Sequence, residues 1–288
     1  MNNYRFSGHD TFHCRQQWLT KGVKFIGNQG NSFSSDLEKS ILELGVGKNM
    51  VQSIQHWLKS FGLINENHNL TDIAKLLFIQ NDGFDPYLED EGTLWLLHYK
   101  LCSTNYASIY DLIFRDYFLE KVKLEFTENE ILKYIKDKLD RGKEREVSEN
   151  TLISDFKAFV RTYSSPKKIL KTIEDDFNSP LLELNLISQF DNIYRINKEV
   201  RASIPLQIFG YCLIDFFGDR DIVNFYEIRN VIGGYFCLSY EGLDNLLESL
   251  TENYPDFIDK SDGGIRQISI KNNKSELQNS LLQSYYGI

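Results

Sequence analysis

At 288 residues, with 42 % hydrophobic and 14 % aromatic side chains, the chain can build a packed core and has room for two domains or three small ones, which excludes a disordered polypeptide. The formal net charge of −9 argues against a nonspecific nucleic-acid wrapper, which would be basic. No apolar run approaches the ~18 residues of a membrane helix, and the opening Met1 to Arg5 does not resemble a signal peptide, so a soluble cytoplasmic protein is expected.

The charge is unevenly spread. Residues 1–80 carry +2, residues 81–125 carry −5, residues 126–174 carry +2 and residues 175–288 carry −8. Phosphate is therefore expected to meet only the first or third region, while the acidic remainder suits a protein partner. Cys14, Cys102, Cys212 and Cys237 lie far apart without a CxxC pair, which points to reduced thiols rather than a zinc site.

The first cluster of chemistry is FSGHDTFHCRQQWL, residues 6–19. His9 and His13 stand at i and i+4 and would share one face of a helix as a metal pair. His9 or Asp10 could act instead as general base, with Arg15 steadying a phosphorane-like oxyanion. Such phosphodiester hydrolysis usually needs Mg2+ or Mn2+. A third reading has His9, Arg15 and Lys21 contacting phosphate without catalysis. In a fourth, Ser7 or Asp10 caps the first helix while Phe12, Trp18 and Leu19 pack beneath it.

From Asp36 onward, Leu37, Ile41 and Leu44 form one helical stripe, capped by Ser34 or Ser35 and broken by Gly45. A second helix runs from about Lys48, with Val51, Ile54, Trp57, Leu58 and Phe61 facing inward and Gly62 ending it. Leu63-Ile64 and the tip 65–69 read as a strand and turn. The outward set is Lys48, Asn49, Gln52, Ser53, Gln55, His56 and Lys59: donors for phosphates and base edges, without a carboxylate. A docking module would show the same polar face.

Further on, Asp82, Asp85, Glu89, Asp90 and Glu91 precede a buried helix opening at Thr93; they could hold a divalent cation or serve the helix dipole. Thr127 and Glu130 form a capping box inside the helical stretch 106–165. In the mixed-charge run 136–148, Arg141, Lys143 and Arg145 could touch phosphate, although a solvated face is the commoner reason for such a run. A short helix and a hairpin follow over 179–196, then a helix over about 203–217. The helix–turn–helix–hairpin grammar returns over Tyr226–Ile268, with Asp262-Gly263-Gly264 as the hairpin turn. The second of these helices exposes Glu241, Asp244, Glu248 and Glu252, the wrong sign for phosphate.

Three stretches, FSGHDTFHCRQQWLTKG, LGVGKNMVQSIQHW and DGFDPYLEDEGTLWLLHYKL, resemble the domain-of-unknown-function 4007 family, distinctively through residue 101 and diffusely to about 270. Asp10 stands where the family pattern has glutamate, and His13 where a nonpolar residue or proline is commoner. The resemblance implies a role in bacterial DNA phosphorothioation for phage defence, beside a sulfurtransferase resembling phosphoadenosine phosphosulfate reductase. For the SspB-like branch it also implies nicking of DNA as a homodimer.

The expected fold is mainly α, with tandem winged-helix-like units and short β-hairpins joined by a helical middle segment. Its expected domains are 1–101, 102–174 and 175–288. The expected partners are double-stranded DNA, the sulfurtransferase and a second copy, with no membrane. Nicking through His9, Asp10 and Arg15 is weighed against a noncatalytic adaptor that recruits the sulfurtransferase, and against a transcriptional regulator.

Overall fold

The computed structural model describes residues 4–28, 33, 37–80, 83–120, 123–164, 179–271 and 273–287. The expected caps Ser34 and Ser35, the helix start at Asp36, and Asp82 lie outside them. The chain forms two compact units, Met1–Ile113 with Lys123–Ile196, and Phe114–Val122 with Asn197–Ile288.

The first unit begins with α1 (Gln16–Gly27), α2 (Leu37–Leu44) and α3 (Lys48–Ser60). α1 turns Trp18, Leu19, Gly22, Val23 and Phe25 inward. A Cβ on Gly22 would lie 2.8 Å from both Ile54 and Leu58, so this glycine sets how closely α1 approaches α3. Gly45, at φ +66°, turns the chain between α2 and α3. Gly62 ends α3 at φ +64°, where the Leu63 amide reaches back to the Leu58 carbonyl at 2.8 Å. The strand expected at 63–64 reduces to a single antiparallel bridge, Ile64 with Leu70, around the 65–69 tip.

α4 (Asp72–Phe78) is capped by Thr71, and α5 (Glu91–Ser103) by Asp90. α5 is buried almost all round from Gly92 to Tyr99, as befits a helix through the middle of a core. α6 (Ser108–Asp111) runs into a π-helical segment, Leu112–Tyr117, and α7 (Phe118–Glu120), of which the residues from Phe114 onward belong to the second unit. The capping box of Thr127 and Glu130 opens α8 (Glu128–Gly142), and Ser148 caps α9 (Glu149–Tyr163). A small antiparallel sheet of β1 (Glu125–Phe126), β2 (Ile187–Phe190) and β3 (Ile193–Ile196), ordered β1-β3-β2, completes this unit.

The second unit holds α10 (Leu206–Phe217), β4 (Ile222–Asn224), α11 (Phe225–Tyr235), α12 (Tyr240–Asn253), β5 (Phe257–Asp262), β6 (Ile265–Ile270) and α13 (Lys274–Tyr286). Its antiparallel sheet is ordered β4-β6-β5. The β5–β6 turn puts Gly263 and Gly264 at φ +56° and +83°, the double positive φ of a two-residue hairpin loop. α13 has no counterpart in the sequence reading: it is mostly polar and buries only Leu277, Leu281 and Leu282.

The architecture is thus mainly α with two small three-stranded antiparallel sheets. Among the described residues no helix is long and apolar enough to cross a membrane.

Candidate nucleic-acid interface

The segment before α1 is a wound loop rather than a helix start. Ser7, Gly8, Asp10 and Thr11 all have positive φ, from +46° to +97°. His9 and His13 therefore share no helical face, which removes the geometric basis of the metal pair. Arg15 occupies the N-cap of α1 without a side-chain cap bond, so neither Ser7 nor Asp10 caps that helix.

Left-handed backbone at non-glycine residues costs about 1 kcal/mol or more each, so this loop must be held from outside. Asp155, on α9, does much of it. Its carboxylate accepts the Ser7 amide at 2.9 and 3.1 Å and pairs with His9 Nε2 at 2.8 Å. From α3, Ser53 Oγ donates to the His9 carbonyl at 3.0 Å and Trp57 Nε1 to the Phe12 carbonyl at 3.2 Å. Gly8 fits because it lacks a Cβ, which would sit 2.7 Å from His56 Nδ1.

His9 and Asp155 are both buried, at 5 % and 4 % side-chain exposure. His56 packs edge-on to Trp57 and 5.8 Å from His9. Burial, then the charges of His9 and Arg5, push the His56 pKa down to about 3, so it is neutral at pH 7. Nδ1 of His9 and Nε2 of His56 are buried without hydrogen-bond partners among the described residues. The expected trio of His9, Asp10 and Arg15 is not joined by hydrogen bonds around a common point. His9 bonds Asp155, Asp10 faces solvent, and the Arg15 guanidinium lies 5.2 Å from the Trp18 ring. Lys21 is exposed on α1. Burial raises the Cys14 thiol well above its usual range, which keeps it an inert core group.

Asp155 escaped the sequence reading, yet a signal existed. It sits among Leu152, Phe156 and Phe159 on the apolar stripe of α9, and a carboxylate in such a stripe demands a buried partner.

On α3 the expected outward set divides. Lys48, Asn49 and Gln52 are exposed, and Gln55 and Lys59 are half-buried. Ser53 and His56 point inward, because Ser53 anchors the loop and His56 packs on Trp57; neither lies on the outward face as expected. What remains is one stripe, Lys48–Gln52–Gln55–Lys59, at helical spacing. α3 contains no carboxylate, and its N-cap Gly47 offers no side-chain cap, leaving first-turn amides open. At the far end of the stripe, Lys59 Nζ lies 5.7 Å from the centroid of Tyr106, and the Arg5 guanidinium lies 4.1 Å from the same ring. Arg5 and Tyr106 were not singled out from sequence.

Of the carboxylates that could hold a divalent cation or serve the helix dipole, Asp85 and Asp90 are engaged by backbone amides. Asp85 accepts the Glu89 and Asp90 amides at 2.9 and 3.1 Å, and Asp90 accepts the Thr93 amide at 2.8 Å. Among the described residues no group of three or more His, Cys, Asp or Glu side chains is placed to hold a metal ion.

The model of the family described as "Protein of unknown function (DUF4007)" matches residues 6–286. The chain belongs to that family. No curated protein matches it. Two solved structures are similar over the full length of this chain and 88 % of theirs: a magnesium ion-bound SspB crystal structure (23 % identity, TM-score 0.83) and an SspB crystal structure (22 % identity, TM-score 0.82). The DUF4007 motifs quoted above thereby acquire physical roles in this member. SGHDTF is the left-handed loop clamped by Asp155 and Ser53, and DPYLED supplies the amide-binding carboxylates that open α5.

Proposed function

We propose that this DUF4007 member is a DNA-binding component of a bacterial DNA phosphorothioation system. It engages duplex DNA through the exposed stripe of α3, in the manner of a winged-helix recognition helix. The carrying observation is that stripe: Lys48, Asn49, Gln52, Gln55 and Lys59 offer donors for phosphates and base edges on a helix without a carboxylate. The tip 65–69 supports the reading, since its His68 Nε2 lies 3.3 Å from Gln55 Nε2, beside the stripe. Family membership and the likeness to the SspB structures support the pathway. In this reading a sulfurtransferase docks on the acidic face of α12, and the chain works as a homodimer.

Within this function, the noncatalytic adaptor is favoured over nicking by His9. One His9 nitrogen is bound to Asp155 and the other is enclosed, so neither meets a phosphodiester in this conformation. Two measurements decide. Fluorescence anisotropy with labelled duplexes should show salt-dependent binding that weakens in Lys48→Ala/Gln52→Ala; a chain with no affinity for duplex sinks the proposal. Supercoiled plasmid with Mg2+ or Mn2+ should stay closed; open circles that vanish with EDTA and in Asp10→Ala would restore the nickase.

A further inference from the structure

The α3 stripe does not end at Lys59. Two cations from distant parts of the chain share the Tyr106 ring, Arg5 at 4.1 Å and Lys59 at 5.7 Å from its centroid. The placement of Arg5 is fixed by its backbone. Its amide donates to Ser108 Oγ at 2.8 Å, and its carbonyl accepts the Ser108 amide at 3.0 Å, while Ser108 itself is fully buried. Tyr106 is half-buried, with the neutral His56 ring 5.4 Å from it. Among the described residues neither Arg5 nor Lys59 makes an ion pair. Two like charges held over one ring repel, and cation–π attraction of about 0.5–1 kcal/mol each at an exposed site does not call for two. An anion between them removes the repulsion. Both charges lie within 6 Å of one centroid, so they belong to one small patch at the end of the α3 stripe, where one phosphate can be offered a guanidinium and an ammonium.

We infer that Arg5, Tyr106 and Lys59 form a clamp for a single backbone phosphate of the DNA duplex. It extends the α3 contact onto the segment preceding the left-handed loop. Arg5 supplies the planar two-pronged donor, Lys59 a point charge, and Tyr106 the platform that holds both in register. The contact carries no base information; it sets the position of α3 along the duplex.

This inference rests on the proposed DNA-binding function, and the test separates the two. Anisotropy of the full chain on a labelled duplex is followed over a sodium chloride series for the native sequence, Arg5→Gln/Lys59→Gln, Arg5→Lys, Tyr106→Phe and Tyr106→Leu, each checked for an unchanged melting temperature. The double variant should lower the slope of log K against log salt by about one unit. It should weaken unrelated sequences equally. Arg5→Lys and Tyr106→Phe should keep the native slope, while Tyr106→Leu, which keeps both charges but loses the platform, should weaken binding several-fold. A native slope in the folded double variant overturns the clamp and leaves the α3 reading standing. No duplex binding by the native chain overturns both.

Discussion

The first unit around α2–α3 and the second around α11–α12 share a local plan. In each, two helices meet at a tight turn and an antiparallel reversal follows. The first reversal is a single bridge, Ile64 with Leu70; the second is a full β5–β6 hairpin. Their surfaces carry opposite charge. α3 has no acidic residue, whereas α12 exposes Glu241, Glu248 and Glu252. Its fourth acid, Asp244, is drawn into an internal network in which Arg266 bonds both Asp244 and Asp259 and lies 4.7 Å from the Phe225 ring. The same geometry can thus present a face suited to phosphate or one that repels it, and the partner follows from surface chemistry rather than from the plan.

The two units are also fastened differently, and that contrast can be broken at chosen points. The largest effect should come from Asp155→Ala. It strips the acceptor from the Ser7 amide and leaves His9 buried without its partner, so urea unfolding should report a loss of about 3–5 kcal/mol. A loss below 1 kcal/mol would mean the loop is held mainly by α3.

Acid should act on the same region. The folded pKa of His56, about 3, lies below its ordinary 6.5, so the unfolded chain takes up this proton first. The stability tied to neutral His56 is complete above pH 6.5 and is lost as pH falls toward 3. Unfolding free energies compared at pH 7 and pH 4.5 should fall by a few kcal/mol in the native chain and by clearly less in His56→Phe. Parallel pH profiles would assign the acid sensitivity elsewhere.

Gly8→Ala should cost about 1–3 kcal/mol, because the added methyl meets His56 at a backbone angle of φ +97°. Arg266→Met, in the partly exposed network of the second unit, should cost only about 1 kcal/mol. If Arg266 proved costlier than Asp155, the contrast between a buried clamp and a surface network would reverse.

What the sequence made legible follows from local rules. The ends of α3, the capping box at Thr127 and the Gly263-Gly264 turn are each set by side chains within a few positions, and all could be read. The Asp155 clamp joins residues 146 apart and the Arg5–Ser108 pinning residues 103 apart, so neither leaves a short-range pattern. Ser53 and His56 were misplaced for a related reason. Polar side chains on a helix read as outward, and only the loop packed against α3 gives them inward partners. α13 escaped because three buried leucines on a polar helix make a weak stripe.

The most direct test makes α3 acidic in one variant and neutralises α12 in another, and measures duplex affinity by anisotropy at one salt concentration. Lys48→Glu/Gln52→Glu on α3 should lower affinity by about tenfold or more, since it places like charge against phosphate. Glu241→Gln/Glu248→Gln on α12 should leave it within about twofold. Equal losses from both variants, or undiminished binding with the altered α3, would contradict the assignment of α3 to DNA.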